Sequence, residues 1–254
     1  MPTPALTFFP LADLPLIEPG NDLAALLIEH LGKAGLIPQN DDVLVIAQKI
    51  VSKAEDCFVD LQDIKPSPEA LKLAYSSEKD PRLAELILRE SARIVRDTPK
   101  VLIVEHRLGI VLANAGIDRS NVNNDEDTVL LLPVDPDASA RRLKATLDAH
   151  FGVRLGIVIT DSVGRPWRLG TTGIAIGCAG LAAMHDMRGL SDMFGRVLQV
   201  AEVATADCVA GAATLLMGEG AEAIPVVLMR GLQAGKPEQS AQTIVRSANE
   251  NLFE

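Results

Sequence analysis

A chain of 254 residues, 48% of them hydrophobic but only 3% aromatic, has material for one large domain or two modest ones around an aliphatic core. Its formal charge of -10 argues against a nucleic-acid backbone or an anionic membrane as partner, since both reward clustered Lys and Arg; an anionic ligand at a local basic spot stays open. Cys57, Cys178 and Cys208 lie far apart without C-x-x-C spacing, which argues against a disulfide framework or a zinc site and fits a reducing cytoplasm.

In chain order, residues 5–17 read as an extended segment punctuated by Pro10 and Pro15, with no basic stretch before it to make a secretory signal. Asn21 or Asp22 can cap a helix whose Leu23, Leu26, Leu27 and Leu31 share one face, and Gly32 ends it. Residues 43–47 form a short buried strand. Ser67-Pro68 and Asp80-Pro81 each set a capping residue before a proline at the first helical position, so a helix starts at each. The second of these carries Leu83, Leu86, Ile87, Ile94 and Val95 on its apolar side. Residues 101–104 and 109–113 are apolar runs around the polar Glu105-His106-Arg107, the pattern of a hairpin. Residues 123–127 read as a solvated acidic loop, residues 129–132 as a strand, and Asp135 opens a helix toward His150, a side chain suited to a helix C-terminus.

Residues 156–160 then form a buried strand that ends at a polar turn. The uncharged stretch 169–184 is glycine-rich and shorter than the roughly 20 apolar residues that a membrane helix needs, so a soluble protein is expected. Residues 197–217 read as one long alanine-rich helix closed by Gly218-Glu219-Gly220, and residues 224–229 as a final strand. The polar end from Gln233 onward holds a last short helix. The expected fold is α/β (α+β) with a mixed sheet, a single domain over residues 1–254.

Chemistry concentrates where apolar runs stop. Asp161 and Ser162 follow the strand 156–160, with Gly164 for a turn and then Arg165, Trp167 and Arg168; this is either a plain polar turn or a site held on a scaffold. Gln48, Lys49, Ser52 and Lys53 crowd in after residues 43–47, and Lys53 is either solvated or placed to meet phosphate. The run 109–113 leads into Asn114, Gly116, Asp118 and Asn121, and the long helix leads into Glu219. Asp118, Asp161 and Glu219, with the Ser162 hydroxyl, are oxygen donors of the kind hard divalent cations prefer, so a magnesium site is one reading of them. Neither G-x-x-x-x-G-K-[ST] nor a strand-linked G-x-G-x-x-G occurs, so a nucleotide has to be held in another way.

Seven strings, in order along nearly the whole chain, resemble the coenzyme F-420:L-glutamate ligase (F-420-0:gamma-glutamyl ligase) family. They are LPLI at 14–17, QKIVSKAE at 48–55, NAGIDRSNV at 114–122, LLLPVDPDASA at 130–140, ITDSVGRPWR at 159–168, AIGCAG at 175–180 and LLMGEG at 215–220. The resemblance implies a two-lobed chain in an intertwined cytoplasmic homodimer. It implies that L-glutamate is added to the deazaflavin precursor F-420-0 at the expense of GTP through an acyl phosphate, and further glutamate by gamma-linkage. Asp118, Asp161, Ser162 and Glu219 become ligands of Mg2+ or Mn2+, two ions being expected and K+ a possible further cation; Ser162 stands where Thr is more usual. The guanine nucleotide is expected against Leu14, Pro15, Leu16, Ile17, Gln48, Lys49, Lys53 and Asn121, and against Met217, Gly218, Glu219, Gly220, Ala221, Glu222, Ala223 and Ile224. Lys53 and Asp161 take the catalytic roles. Arg165 and Arg168 either hold the acceptor's phosphodiester or carboxylates through forked hydrogen bonds, or form surface ion pairs. Neither nucleic acid nor membrane is expected as a partner, and no room is left for the C-terminal flavin-binding extension of some relatives. Two rival classes remain: a metal-dependent phosphohydrolase and a non-catalytic deazaflavin-binding protein.

Overall fold

A computed structural model describes residues 5–123, 125–232 and 237–250. The chain runs β1 (Thr7–Leu11), α1 (Leu23–Lys33), β2 (Val43–Ala47), α2 (Gln48–Ala54), β3 (Phe58–Asp60), α3 (Pro68–Ser77), α4 (Pro81–Glu90), β4 (Ser91–Thr98), β5 (Val101–His106) and β6 (Val111–Ala113). It continues through β7 (Thr128–Leu130), α5 (Pro136–Phe151), β8 (Gly156–Arg165), β9 (Arg168–Ala179), β10 (His185–Asp186), β11 (Glu202–Val203), α6 (Thr205–Met217) and β12 (Val226–Arg230).

The principal sheet has the order β1-β12-β2-β8-β9 and is mixed, as expected: β2 and β8 are parallel, and the other three pairings are antiparallel. Its two central strands are buried on both faces, which is why they read as unbroken apolar runs. On one face Leu44, Ile46, Ile157 and Ile159 meet Leu27 and Leu31 of α1, Val51 of α2 and Leu143 and Leu147 of α5. On the other, Val43, Val45, Val158 and Val227 meet Ala206, Val209, Ala210 and Ala213 of α6. The alanines let α6 lie close to the sheet, and Gly173 of β9 completes the approach: a Cβ there would sit 2.6 Å from the Ala210 carbonyl oxygen. The outer edge of β9 is covered by carboxylates from two helix starts, for Ala175 N–H donates to Asp207 and Cys178 N–H donates to Asp137. A separate core joins α3 and α4 to the sheet β4-β5-β6 through Leu73, Leu83, Ile87, Leu102 and Val104. The pair β3-β7 has its own small cluster of Leu61, Leu86 and Val129.

The caps act as their residue types require. Asp22, rather than Asn21, accepts from Ala25 N–H at 3.0 Å, and Ser67, Asp80 and Asp135 cap α3, α4 and α5 in the same way. α1 runs through Gly32 and stops at Lys33, with the left-handed Gly35 just beyond (φ 65°). α4 ends at Glu90, so Ile94 and Val95 belong to β4 and not to the helix; Ile94 pairs with Val104, and cross-strand packing of β-branched residues wins over a helical spacing. The hairpin expected around residues 105–107 forms between β5 and β6.

Three expectations fail further on. β8 does not end at Thr160 but continues to Arg165, because β9 supplies a partner for the polar part. Gly164 therefore lies inside a strand opposite Thr171, and the turn falls at Pro166-Trp167, where Trp167 takes φ 58°. The helix expected over 197–217 begins only at Thr205. The residues before it fold back on the segment after β10: Met187 N–H donates to the Ala201 carbonyl, and Leu198 and Gly189/Leu190 exchange hydrogen bonds. The polar C-terminal stretch holds two 3-10 turns, Ala241–Ile244 and Ala248–Glu250, and Gln233 falls outside the described residues. No helix among the described residues is long and apolar enough to cross a membrane.

Candidate active site

The site forms beyond the carboxyl ends of the parallel strands β2 and β8. β2 passes into α2 without a linker, so Gln48 and Lys49 stand at the strand end, with Ser52 and Lys53 one turn further on. A second chain segment is brought to them by an unusual turn. Asn114, Ala115 and Gly116 are all left-handed (φ 53°, 56° and 66°), and a Cβ on Gly116 would lie 2.9 Å from Leu132 Cδ1. Two residues later Asp118 is fixed by a two-way backbone bridge with Leu130. Its Oδ2 then accepts from Gln48 Nε2 at 2.6 Å and pairs with the Lys49 ammonium.

Lys53 Nζ donates to the Asn121 carbonyl at 2.8 Å, and Asn121 Nδ2 donates to the Gly220 carbonyl at 3.1 Å. Asn121 thus joins α2 to the loop after α6. That loop is shaped by Gly218 (φ 70°) and by Glu222, whose carboxylate accepts from Gly220 N–H at 2.8 Å. Thr171 Oγ1 of β9 donates to Glu219 Oε1 at 3.4 Å.

Asp161 faces this assembly from β8. It is partly buried, and that burial, with the charge of Asp118 and more weakly of Glu219, pushes its pKa up to about 7. A hydrogen bond from the Ser162 backbone and the Lys49 charge pull in the opposite direction. Burial also lowers the Lys53 ammonium, and nearby Lys49 adds to that effect. Negative charge is thus crowded at Asp161 and positive charge at Lys49 and Lys53.

The structure treats the sequence-derived residues unequally. Gln48, Lys49, Lys53, Asn121, Asp118, Asp161, Glu219 and Gly220 meet through the contacts above. Ser162 follows Asp161 in an extended strand, so its side chain leaves from the opposite face. In the segment 14–17, Leu14 and Ile17 turn into the core while Leu16 is exposed; Gly20 N–H beyond it donates to the Ala54 carbonyl at the end of α2. Met217 and Ile224 pack on the α6 side of the core, and Ala221, Glu222 and Ala223 are exposed between them. Arg165 and Arg168 pair across the β8–β9 hairpin end, and among the described residues neither forms an ion pair. No group of three or more His, Cys, Asp and Glu among the described residues is gathered closely enough to hold a metal by itself. Sequence reasoning left out the Thr171 hydroxyl, and it named Ser52 without giving a role to that side chain, whose Oγ donates to Gln48 Oε1 at 2.9 Å. The spacing of Gln48 and Ser52, four residues apart on one helix, was the available signal for the latter.

The profile of the family described as F420-0:Gamma-glutamyl ligase matches residues 12–231. The chain is 45% identical over 222 residues to the coenzyme F420:L-glutamate ligase of Methanothermobacter thermautotrophicus, covering 87% of each chain. It is 45% identical to that of Methanopyrus kandleri, over 93% of each, and 40% identical to that of Archaeoglobus fulgidus, over 96% of this chain and 95% of the relative. A match of this extent, carried through every segment that builds the site, shows that the chain belongs to the F420-0:gamma-glutamyl ligase family.

Proposed function

We propose that this protein joins L-glutamate to the deazaflavin precursor F-420-0 with cleavage of GTP, and then adds further glutamate by gamma-linkage. The observation that carries the reading is the pairing of Asp118 with Lys49 close enough for Asp118 to act on Asp161 and Lys49 on Lys53, in a chain 45% identical to coenzyme F420:L-glutamate ligases. A carboxylate does not accept an amine at neutral pH without activation. The acceptor carboxylate therefore attacks the terminal phosphorus of GTP, giving an acyl phosphate and GDP; the glutamate amine then attacks the carbonyl and expels phosphate.

The residues have separate tasks in this scheme. Lys53, a half-buried ammonium held by one backbone carbonyl and crowded by Lys49, is suited to the triphosphate, whose charge would offset both burial and repulsion. Asn121 ties that lysine to the loop 217–224, so nucleotide contacts there and at residues 14–17 would be coordinated with it. Arg165 and Arg168 bring forked donors that make no ion pair among the described residues to the end of the hairpin that carries Asp161, which favours the acceptor role over surface ion pairs.

Divalent cations fit the donor chemistry. Asp118, Asp161 and Glu219 are hard oxygen donors, and Asp161 feels more negative charge than Lys49 offsets. Mg2+ or Mn2+, as a pair of ions with K+ as a further cation, would neutralise the triphosphate during transfer. Asp118, Asp161 and Glu219 would close on them, while the Ser162 hydroxyl leaves from the opposite face of β8. A homodimer accords with the apolar surface of Trp167, Leu169, Met193, Phe194, Val200 and Leu215, all more than 80% exposed in the single chain.

Mass spectrometry of F-420-0 incubated with the protein, GTP, Mg2+ and glutamate tests the reaction, since each glutamate is a discrete mass step. GDP release that requires both F-420-0 and glutamate is expected. Release without glutamate incorporation identifies a phosphohydrolase, and binding of F-420-0 without turnover identifies a carrier.

A further inference from the structure

We infer that Ser52 is a positioning residue for the Asp118 carboxylate, acting through the side-chain amide of Gln48. Its catalytic consequence rests on the ligase reading above; its geometry does not. Gln48 is 3% exposed and Ser52 is fully buried, so neither has water as an alternative partner. Gln48 Nε2 donates to Asp118 Oδ2 at 2.6 Å while Ser52 Oγ donates to Gln48 Oε1 at 2.9 Å, a chain of hydroxyl, amide and carboxylate in which every donor faces an acceptor.

An amide has two ends of nearly equal size and opposite polarity. Rotated by half a turn, Gln48 would set its oxygen against the Asp118 carboxylate, acceptor against acceptor. The acceptor-only Asp118 carboxylate selects the productive orientation, and the Ser52 hydroxyl holds it by donating to the Oε1 that is thereby turned into the interior. Its place four residues on in α2 puts it on the same helix face as Gln48. Asp118 pairs with Lys49, so its orientation sets where that ammonium is held. Without the hydroxyl, Oε1 is left buried and unpaired, the amide turns more freely, and Asp118 is held by Lys49 without the directional bond.

The first test uses no turnover. In protein labelled with 15N in glutamine side chains, the Gln48 amide signal is assigned by its loss in Gln48→Met. The expected result is that its protons exchange slowly in the wild type and roughly tenfold faster in Ser52→Ala, the change that corresponds to one lost buried hydrogen bond. The second test is a double-mutant cycle on ligation. Ser52→Ala should lower kcat by about tenfold in the wild-type background and by less than about twofold when Gln48 is already Met. Equal losses in the two backgrounds, or unchanged amide exchange, would overturn the inference. If Ser52→Ala folds poorly in a melting curve, Ser52→Cys, close in size and a weak donor, serves for both measurements. A wild-type protein that forms no glutamate adduct overturns the ligase reading instead, and amide exchange then decides the role of Ser52 alone.

Discussion

The two ends of strand β2 carry carboxylate–cation pairs built on opposite terms. At the amino end Asp42, 1% exposed, is enclosed by donors: Arg230 reaches Oδ1 through Nε at 2.9 Å and Oδ2 through its terminal nitrogen at 2.7 Å, and Gln39 N–H reaches Oδ2 at 2.8 Å. Arg230 also donates to the Ile37 carbonyl and lies 5.6 Å over the Phe9 ring, so it is tied to the fold by more than the carboxylate. At the carboxyl end the same kinds of group are left unbalanced: Asp161 feels Asp118 and Glu219, and Lys53 feels Lys49. A pair that closes on itself holds strands together, here the start of β2 and the end of β12. A cluster that leaves charge unmatched has the character of a binding site, which is the role proposed for it above.

The sharpest way to separate the two ends is to remove one carboxylate from each. Asp161→Asn keeps shape and removes charge, so the ligation rate should fall by roughly two or more decades, since about 1.4 kcal/mol is tenfold. Its melting temperature should not fall. Near-wild-type turnover over a Mg2+ or Mn2+ titration would make Asp161 a residue of the strand only.

Asp42→Ala should give the converse. It strands Arg230 beside a buried gap and should cost about 3 kcal/mol, the low end of the range for a broken buried pair because Arg230 keeps some contact with water. For a chain of this size that is a fall in Tm of roughly 6 to 12 °C. Below the transition the specific activity of the folded protein should be retained; loss of activity without loss of Tm would dissolve the distinction between the two ends.

A smaller effect is expected at Lys53. Lys53→Ala removes one charge-assisted contact and should weaken GTP and GDP binding by about tenfold, with the melting curve unchanged in the absence of nucleotide. Calorimetry that finds equal affinity would take Lys53 out of the nucleotide site.

A last effect, read in stability and not in turnover, is a pH dependence. Asp161 has its pKa raised from 3.8 to about 7, so the folded state holds that proton more tightly than the unfolded chain. Its contribution therefore becomes more unfavourable as pH rises from about 4 and is complete above about 7, the reverse of a salt-bridged carboxylate. In chelator, the Tm of Asp161→Asn should gain on the wild type between pH 5 and pH 8. A constant difference across that range would show that the Asp161 carboxyl is not strained in the fold.

Much of the site was legible as residue types in suggestive places. Gln48, Lys49, Lys53, Asp118, Asp161 and Glu219 each follow an apolar run, and family strings surround most of them. Their convergence was not legible, because Gln48 and Asp118 are 70 positions apart and no local pattern states which strand ends meet. The reading of Asp161 and Ser162 as two donors at one turn mistook a strand for a turn, and adjacent residues of a strand point to opposite faces. Residues 197–203 were read as helix on composition, yet Val197 and Val203 sit in backbone that pairs with the chain just before it.

What the sequence determined by itself is what neighbouring residues decide among themselves. Side chains at Asp22, Ser67, Asp80 and Asp135 start helices because each can accept from the orphan N–H groups a few residues on. Residues 43–47 and 156–160 are strands of the interior because no polar side chain interrupts them before Thr160. Tertiary structure decided the rest: that β8 continues past Thr160, that the left-handed turn at 114–116 delivers Asp118 to Lys49, and that Asn121 bridges α2 to the loop after α6. These depend on hydrogen bonds and charges contributed by segments distant in the chain, whose energies exist only once the sheet has brought both partners to the same place.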